Sequence, residues 1–285
     1  MSQPETRGPT LLCVASFFKG NEFLRECSRR GGRAVLLTRE KLLGADWARD
    51  SLEDVIAIPS GEGPDFYLHA ASHAARRWRV GRVVALEEYD VTTAARLREH
   101  LALPGLGSTA ARNFQDKLAM RHAARAAGLR VPEFVHLLNR REVAEFMSRV
   151  PAPWMLKPRV GASAMGMKKL TAAEDVWRAW DALDARAEPA PRGNIDERAS
   201  AHLLEEFVPG EVFHVDSVVS GGRVEFAYAG RYNAPPFDVA HGGGVASSRT
   251  VRRGSADERG LLAVNRKLLK AFGLGRGVTH AEFIK

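Results

Sequence analysis

Cysteine is scarce in this chain: Cys13 and Cys27 are its two thiols, too few for a disulfide framework or a cysteine zinc site. A reducing, cytoplasmic setting is the expectation. Long apolar runs are also missing. The stretch Leu11 to Phe18 follows an N-terminus with little positive charge and soon meets Lys19, Asn21 and Glu22. Neither a signal peptide nor a membrane span is expected, and a membrane is excluded as a partner. The common nucleotide and metal motifs fail one by one. No G-x-G-x-x-G occurs, and Met167 stands where a P-loop needs lysine after the Gly161 to Gly166 spacing. The nucleophile elbow fails because Met165, not glycine, is second after Ser163. No H-E-x-x-H occurs, and His280-Ala-Glu282 imitates the H-x-E of zinc deaminases without their P-C-x-x-C. Stacked aromatics are lacking too. The net charge of +8 is scattered among acidic residues, which marks a solvated surface biased toward phosphate more than a nucleic-acid footprint, so no nucleic-acid partner is expected.

What is present is a full globular complement. The chain has 285 residues, of which 45% are hydrophobic and 27% charged, enough for one large core or two smaller ones. From Thr10 to about Leu101, short β-branched or apolar runs alternate with amphipathic helical patterns. The strand candidates are 11–15, 34–37, 55–58 and 83–86, with helices near 20–30, 66–79 and 91–101. Such alternation predicts a parallel sheet covered by helices, with any ligand at the carboxyl ends of its strands. Ser16 to Asn21 and Glu87 to Asp90 occupy those ends. The turn-rich LPGLGS at 103–108 then marks a domain boundary.

Beyond the boundary, Asp116 is placed to cap a helix running from Lys117 to about Ala127, stopped by Gly128. A lysine in a first helical turn opposes the helix dipole, a cost that a nearby anion would offset. Residues 154–170, WMLKPRVGASAMGMKKL, read as strand, small-residue loop and strand, with Lys157 at the edge of the loop. Small side chains let main-chain N–H groups approach an anion closely, and the lysine adds a point charge. Asn139 to Glu142, Thr171 to Glu174 and Ser255 to Glu258 each fit a capping box, and 186–199 is expected to be a mobile loop. The run LLEEFV at 203–208 predicts a buried strand, yet it carries Glu205 and Glu206, which is costly unless they are paired or face a ligand. Pro209-Gly210 turns the chain, and strands 212–219 and 224–231 form a hairpin across Gly221-Gly222. Residues 240–251, AHGGGVASSRTV, predict a loop able to move over a site, and 278–284 close the chain as a strand.

These parts, in this order, resemble the ATP-grasp superfamily, in particular its carboxylate-amine (amino-acid) ligases and the biotin-carboxylase-like branch. The matching pieces are Asp116-Lys117 at a helix start, MLKP with Lys157, the small-residue loop, LLEEFVPGE before a hairpin, and THAEF. The resemblance implies an α/β fold: a doubly wound, Rossmann-like domain over 1–107, then an ATP-grasp domain over 108–285. The second domain would consist of two α+β subdomains with the nucleotide between them, one a small lid at about 130–205. It implies ATP as cosubstrate and Mg2+, or Mn2+ in its place, as the metal. Lys117 and Lys157 would hold the phosphates under a loop that includes Ser163 and Gly166. Glu205 and the main chain of Glu206, Phe207 and Val208 would hold adenine, and Glu211 the ribose. Glu282 would bind the metal, and Arg231 and Arg249 would hold the substrate carboxylate or departing phosphate.

The implied reaction joins a small-molecule carboxylate to an amine, amino acids among them, through an acyl phosphate, with release of ADP. A homodimer is the assembly the resemblance allows. One departure stands out: the family carries a second metal carboxylate in an E-x-N pattern on a further strand, whereas three residues follow Glu282 here. The expectation is therefore an incomplete C-terminal end, with a non-catalytic ATP-binding module as the alternative function and a basic nucleic-acid-binding protein behind that.

Overall fold

The computed structural model describes residues 9–185 and 198–285. All but the last two residues of the loop expected at 186–199 lie outside the described residues. The chain divides into two compact units, Met1–Arg112 and Asn113–Lys285.

In the first unit, β1 (Thr10–Ala15) leads into α1 (Asn21–Arg29), β2 (Arg33–Arg39), β3 (Asp54–Ile58), α2 (Pro64–Arg77), β4 (Val80–Ala85) and α3 (Val91–His100). A short α4 (Ser108–Arg112) ends the unit. The sheet is parallel, in the order β3-β2-β1-β4. The alternation of a strand explains why its central members read as continuous apolar runs. Leu12 and Val14 join Val35, Leu37, Tyr67 and Leu97 in one core, while Cys13 and Ala15 join Leu24, Leu36 and Trp47 in another. With both faces covered, neither side of β1 tolerates charge. Burial pushes the Cys13 thiol up to about 12, with the neighbouring Cys27 adding to the effect, so Cys13 is an inert core residue.

The second unit carries two antiparallel sheets. Asp116 accepts from the Leu118 and Ala119 N–H groups and so starts α5 (Lys117–Ala126) as its sequence requires, with Gly128 in the left-handed region just past the end. There follow β5 (Phe134–His136), α6 (Arg140–Arg149), β6 (Trp154–Pro158), β7 (Lys168–Leu170), α7 (Ala173–Asp184) and β8 (His202–Glu206). The smaller sheet is ordered β5-β8-β6-β7. Helices α6 and α7 cover it with Phe146, Val176 and Trp180, which meet Trp154, Leu156 and Leu204 from the strands. The larger sheet, β11-β10-β9-β12, is built from β9 (Val212–Ser220), β10 (Arg223–Tyr232), β11 (Ser248–Thr250) and β12 (Gly277–Ile284). Between β10 and β11 lies α8 (Pro236–Gly242), and α9 (Ala256–Ala271) precedes β12. On α9, Asn265 is fully buried and donates to Ser217 Oγ of β9 at 2.8 Å, which pins that helix to the odd-numbered face of the sheet.

The structure departs from the local sequence signals in these places. Thr171 does not cap α7: the helix starts at Ala173 after an extended Ala172, and no side chain caps it. Leu170 is held in β7 opposite Trp154, so the chain cannot turn early enough for Thr171 to reach the first helical N–H groups. At Ser255 the box is half formed. Ser255 accepts from Glu258 N–H, but Glu258 reaches back to Gly254 N–H instead of that of Ser255. The 240–251 segment is not loop throughout, since α8 enters it and β11 pairs with β10 near its end.

Phe146 is the largest fully buried side chain of the small-sheet core. Phe146→Ala is expected to lower unfolding free energy by about 3–5 kcal/mol, read as a fall in the urea midpoint with little change in slope.

Candidate functional site

Glu205 stands at the centre of the small sheet with its side chain fully buried. Strand β8 lies between β5 and β6, so its side chains have no route to solvent along the sheet. The carboxylate survives because both oxygens are met: Arg121 Nε donates to one at 2.6 Å and Lys157 Nζ to the other at 2.5 Å. Burial alone would raise its pKa, but the charges and hydrogen bonds of Arg121 and Lys157 outweigh burial and hold the carboxyl below its ordinary range. Arg121 was not anticipated. It lies one helical turn after Lys117 on α5, a spacing that puts both cations on one face, and that spacing was the available signal.

Lys117 is the other cation singled out by its sequence. Its main-chain N–H donates to Arg159 O at 2.8 Å, and its Nζ donates to Gly161 O at 2.6 Å. Arg159 in turn forks onto Asp116, with Nε on one carboxylate oxygen at 3.1 Å and Nη2 on the other at 2.5 Å. The start of α5 is thereby tied to the start of the small-residue loop. Within that loop Gly161, Ser163, Ala164 and Gly166 all have positive φ, and Ser163 and Ala164 at +57° and +56° are uncommon there without glycine's freedom. Ser163 and Gly166 are exposed. The loop is closed on itself by Met165 N–H donating to Ala162 O and Met167 N–H to Ala164 O, each at 3.3 Å. At the far end of the loop, Met167 O lies 3.1 Å from His241 Nε2 of α8, so the two glycine-bearing segments picked out in the sequence meet.

The hinge after β8 is partly occupied by the protein itself. Glu206 N–H donates to Glu133 O at 2.8 Å and Phe207 N–H to Pro153 O at 3.1 Å. The Phe207 ring lies under Lys169 Nζ at 3.7 Å from its centroid. Among the described residues Val208 N–H makes no main-chain bond. Glu211 pairs with Arg231, and its main chain exchanges both hydrogen bonds with Lys285.

On the larger sheet, register decides which residues meet. Glu282 lies opposite His214 and His280 opposite Asp216 across the β9–β12 pair. His280 Nδ1 is 2.6 Å from one Asp216 oxygen and His214 Nδ1 is 2.8 Å from the other, while His280 Nε2 is 3.2 Å from Tyr232 Oη. Burial would raise the Glu282 pKa, but the neighbouring His280 and Tyr232 side chains and the charges of His280 and Lys157 hold it down. His280 is pushed up to about 9, chiefly by the neighbouring Glu282 carboxylate, with Asp216 adding and burial opposing.

Arg231 and Arg249 are also brought together, as register partners across β10 and β11, but in a different place. Arg231 is paired with Phe213, whereas Glu282 is paired with His214. Pleat alternation therefore puts both arginines on the sheet face opposite Glu282. The sequence pattern of the 240–251 segment could not show this, because it depends on where β11 pairs. In the first unit, Ser16 N–H donates to Asp90 Oδ2 at 2.6 Å and Ser16 Oγ to Glu87 at 3.0 Å, so the loops after β1 and β4 close on each other.

A helix-flanked parallel domain followed by two antiparallel sheets, with lysines on a helix start, a strand end and a small-residue loop, is the architecture of the ATP-grasp enzymes, and the chain has that fold. The particular resemblances are these. The structure matches an L-amino acid ligase from Bacillus licheniformis with a TM-score of 0.74 and 16% identity, covering 98% of this chain and 64% of that one. It matches an ADP complex of N5-carboxyaminoimidazole ribonucleotide synthetase with a TM-score of 0.71 and 18% identity, covering 97% of this chain and 66% of that one. In sequence, an L-arginine-specific L-amino acid ligase of Bacillus subtilis is 22% identical over 156 residues, which is 54% of this chain and 36% of the relative. The chain thus spans about a third of that curated relative and just under two-thirds of the two solved structures. No protein-family profile matches the chain. No helix among the described residues is long and apolar enough to cross a membrane.

Two outcomes follow from the charges. Glu205→Gln leaves Arg121 and Lys157 without their shared counter-ion and is expected to cost about 3–5 kcal/mol in chemical denaturation at neutral pH. The Glu205 pKa is depressed on folding, so this stabilisation is present above the ordinary carboxylate range and lost as pH falls through the folded value; the penalty of the variant should shrink in acid. His280 has the opposite sign. Its contribution is complete below the ordinary histidine value of about 6.5 and lost as pH rises through about 9. His280→Gln should therefore lower the thermal midpoint at pH 6 and leave it nearly unchanged at pH 10; equal losses at both would refute the pairing.

Proposed function

We propose that this chain is the nucleotide-binding part of an ATP- and magnesium-dependent ligase that joins a small carboxylate to an amine through an acyl phosphate. The observation that carries the reading is the placement of the cations. Lys117 is bonded to the first residue of the small-residue loop, and Lys157 is bonded to buried Glu205 while its charge helps to hold Glu282 ionised. Phosphoryl transfer asks a protein for position and charge neutralisation more than covalent chemistry. Two fixed lysines supply that to a triphosphate, with the small-residue loop around Ser163 and Gly166 covering the phosphates. The ribose would be held by Glu211 and the adenine by the hinge, where Val208 N–H is the donor left open by the main chain. Glu205 acts here through Lys157, holding its ammonium in place, since both carboxylate oxygens are already engaged.

The metal would be held by Glu282. A carboxylate together with phosphate oxygens and water suits magnesium, which supplies charge neutralisation at the transferred group. In the reaction a substrate carboxylate oxygen attacks the γ-phosphorus and ADP leaves. The amine then attacks the acyl carbon, phosphate departs, and the amine gives up a proton. Amino acids are the proposed substrate class, supported by the fold shared with L-amino acid ligases. Arg231 and Arg249 take no part in this scheme, because they lie on the face opposite Glu282.

The test is thermal unfolding with and without magnesium-ATP. Ligand at about 100 times its dissociation constant adds roughly 2.7 kcal/mol. The wild-type chain should show a clear upward shift, and both Lys117→Ala and Lys157→Ala should lose most of it. A folded wild-type chain with no shift would sink the nucleotide site. ADP release that needs both an acid and an amine would then establish the ligase; a shift without turnover would leave a binding module.

A further inference from the structure

Antiparallel pairing of β9 and β12 makes a two-by-two block on one sheet face, with His214 and Asp216 on one strand facing Glu282 and His280 on the other. One atom from each of His214, Asp216 and His280 lies within 4.8 Å of the others, a grouping found nowhere else among the described residues. Both imidazoles turn Nδ1 toward the same carboxylate, at 2.8 and 2.6 Å. His214 is 6% exposed and lies over Gly230, where a Cβ would come within 2.2 Å of Nε2, so the ring is held with Nε2 packed against the strand and Nδ1 on the Asp216 side.

We infer that His214, Asp216 and His280 form a binding site for a divalent transition-metal ion of the zinc class, separate in its ligand chemistry from magnesium held by carboxylates and phosphates. Imidazole ligands suit zinc, cobalt and nickel, whereas magnesium takes oxygen donors. Ligand atoms about 2.1 Å from a tetrahedral zinc are about 3.4 Å apart, so the histidine–carboxylate contacts at 2.8 and 2.6 Å must open by a small outward rotation to admit an ion. His280 and Asp216 can make it, because their side chains are 49% and 38% exposed. Their exposure also leaves a coordination position open to solvent, as in sites with three protein ligands. Glu282 Oε1, 3.8 Å from His280 Nε2, is placed to orient that ring as an outer carboxylate. The inference stands on this block alone and does not depend on ATP binding.

Cobalt(II) titration of the metal-free chain tests it, followed by the visible d–d absorption of low-coordinate cobalt and by calorimetry. Wild type should take up one equivalent, retained against a large excess of magnesium. His280→Ala and Asp216→Asn should lower the affinity by roughly ten- to a hundredfold or more. Both changes fall at partly exposed positions, and far-ultraviolet circular dichroism checks that the variants fold. His241→Ala, at the exposed end of α8, should bind as wild type does. The inference is overturned if folded wild type shows no d–d bands, if the bands persist in His280→Ala or Asp216→Asn, if His241→Ala abolishes them, or if magnesium displaces cobalt at comparable concentration.

Discussion

Everything in the second unit bears on one buried charge. Glu205 sits in the middle of a covered four-stranded sheet, where an unpaired carboxylate would be untenable, and it is kept ionised by Arg121 from α5 and Lys157 from β6. That requirement fixes α5 against the sheet and fixes the end of β6, from which the small-residue loop departs. The loop is tied again by Lys117 on Gly161 O and by the Arg159 fork on Asp116. Lys117, Lys157 and Arg159 are therefore each held in place by partners within the protein.

The larger sheet works by a different device. Its function-bearing residues are selected by pleat and register: even positions of β9 and β12 gather His214, Asp216, His280 and Glu282, while odd positions bury Phe213, Val215 and Val219 toward the side covered by α9. The same rule moves Arg231 and Arg249 away from Glu282, although both were candidates in the sequence. A strand shifted by one residue would exchange these roles entirely, so the long β9–β10–β12 pairing specifies the site as much as the residues do.

Much of the architecture was legible because local physics was unopposed. The βα alternation of the first hundred residues appears in the parallel sheet, and Asp116, Asn139, Ser255 and Gly128 mark helix ends by side-chain bonds or backbone conformation that each residue supplies by itself. Where a neighbour competed, the reading failed. Leu170 is held opposite Trp154, which carries the chain past Thr171, and pairing with β10 turns part of a glycine-rich loop into β11.

The sequence by itself determined most of the inventory: the majority of the strands and helices, that Lys117 starts a helix, that Lys157 ends a strand beside small residues, and that a glutamate pair lies on an apolar strand. These follow from periodicity, capping and turn chemistry, all of which act over a few residues. Only the tertiary structure decided the partners. Arg121 is 84 positions from Glu205, His214 is far from His280 in the chain, and Met167 meets His241 across two elements. Such pairs are set by sheet order and register, which depend on how whole faces bury their apolar area, and no short stretch of sequence carries that information.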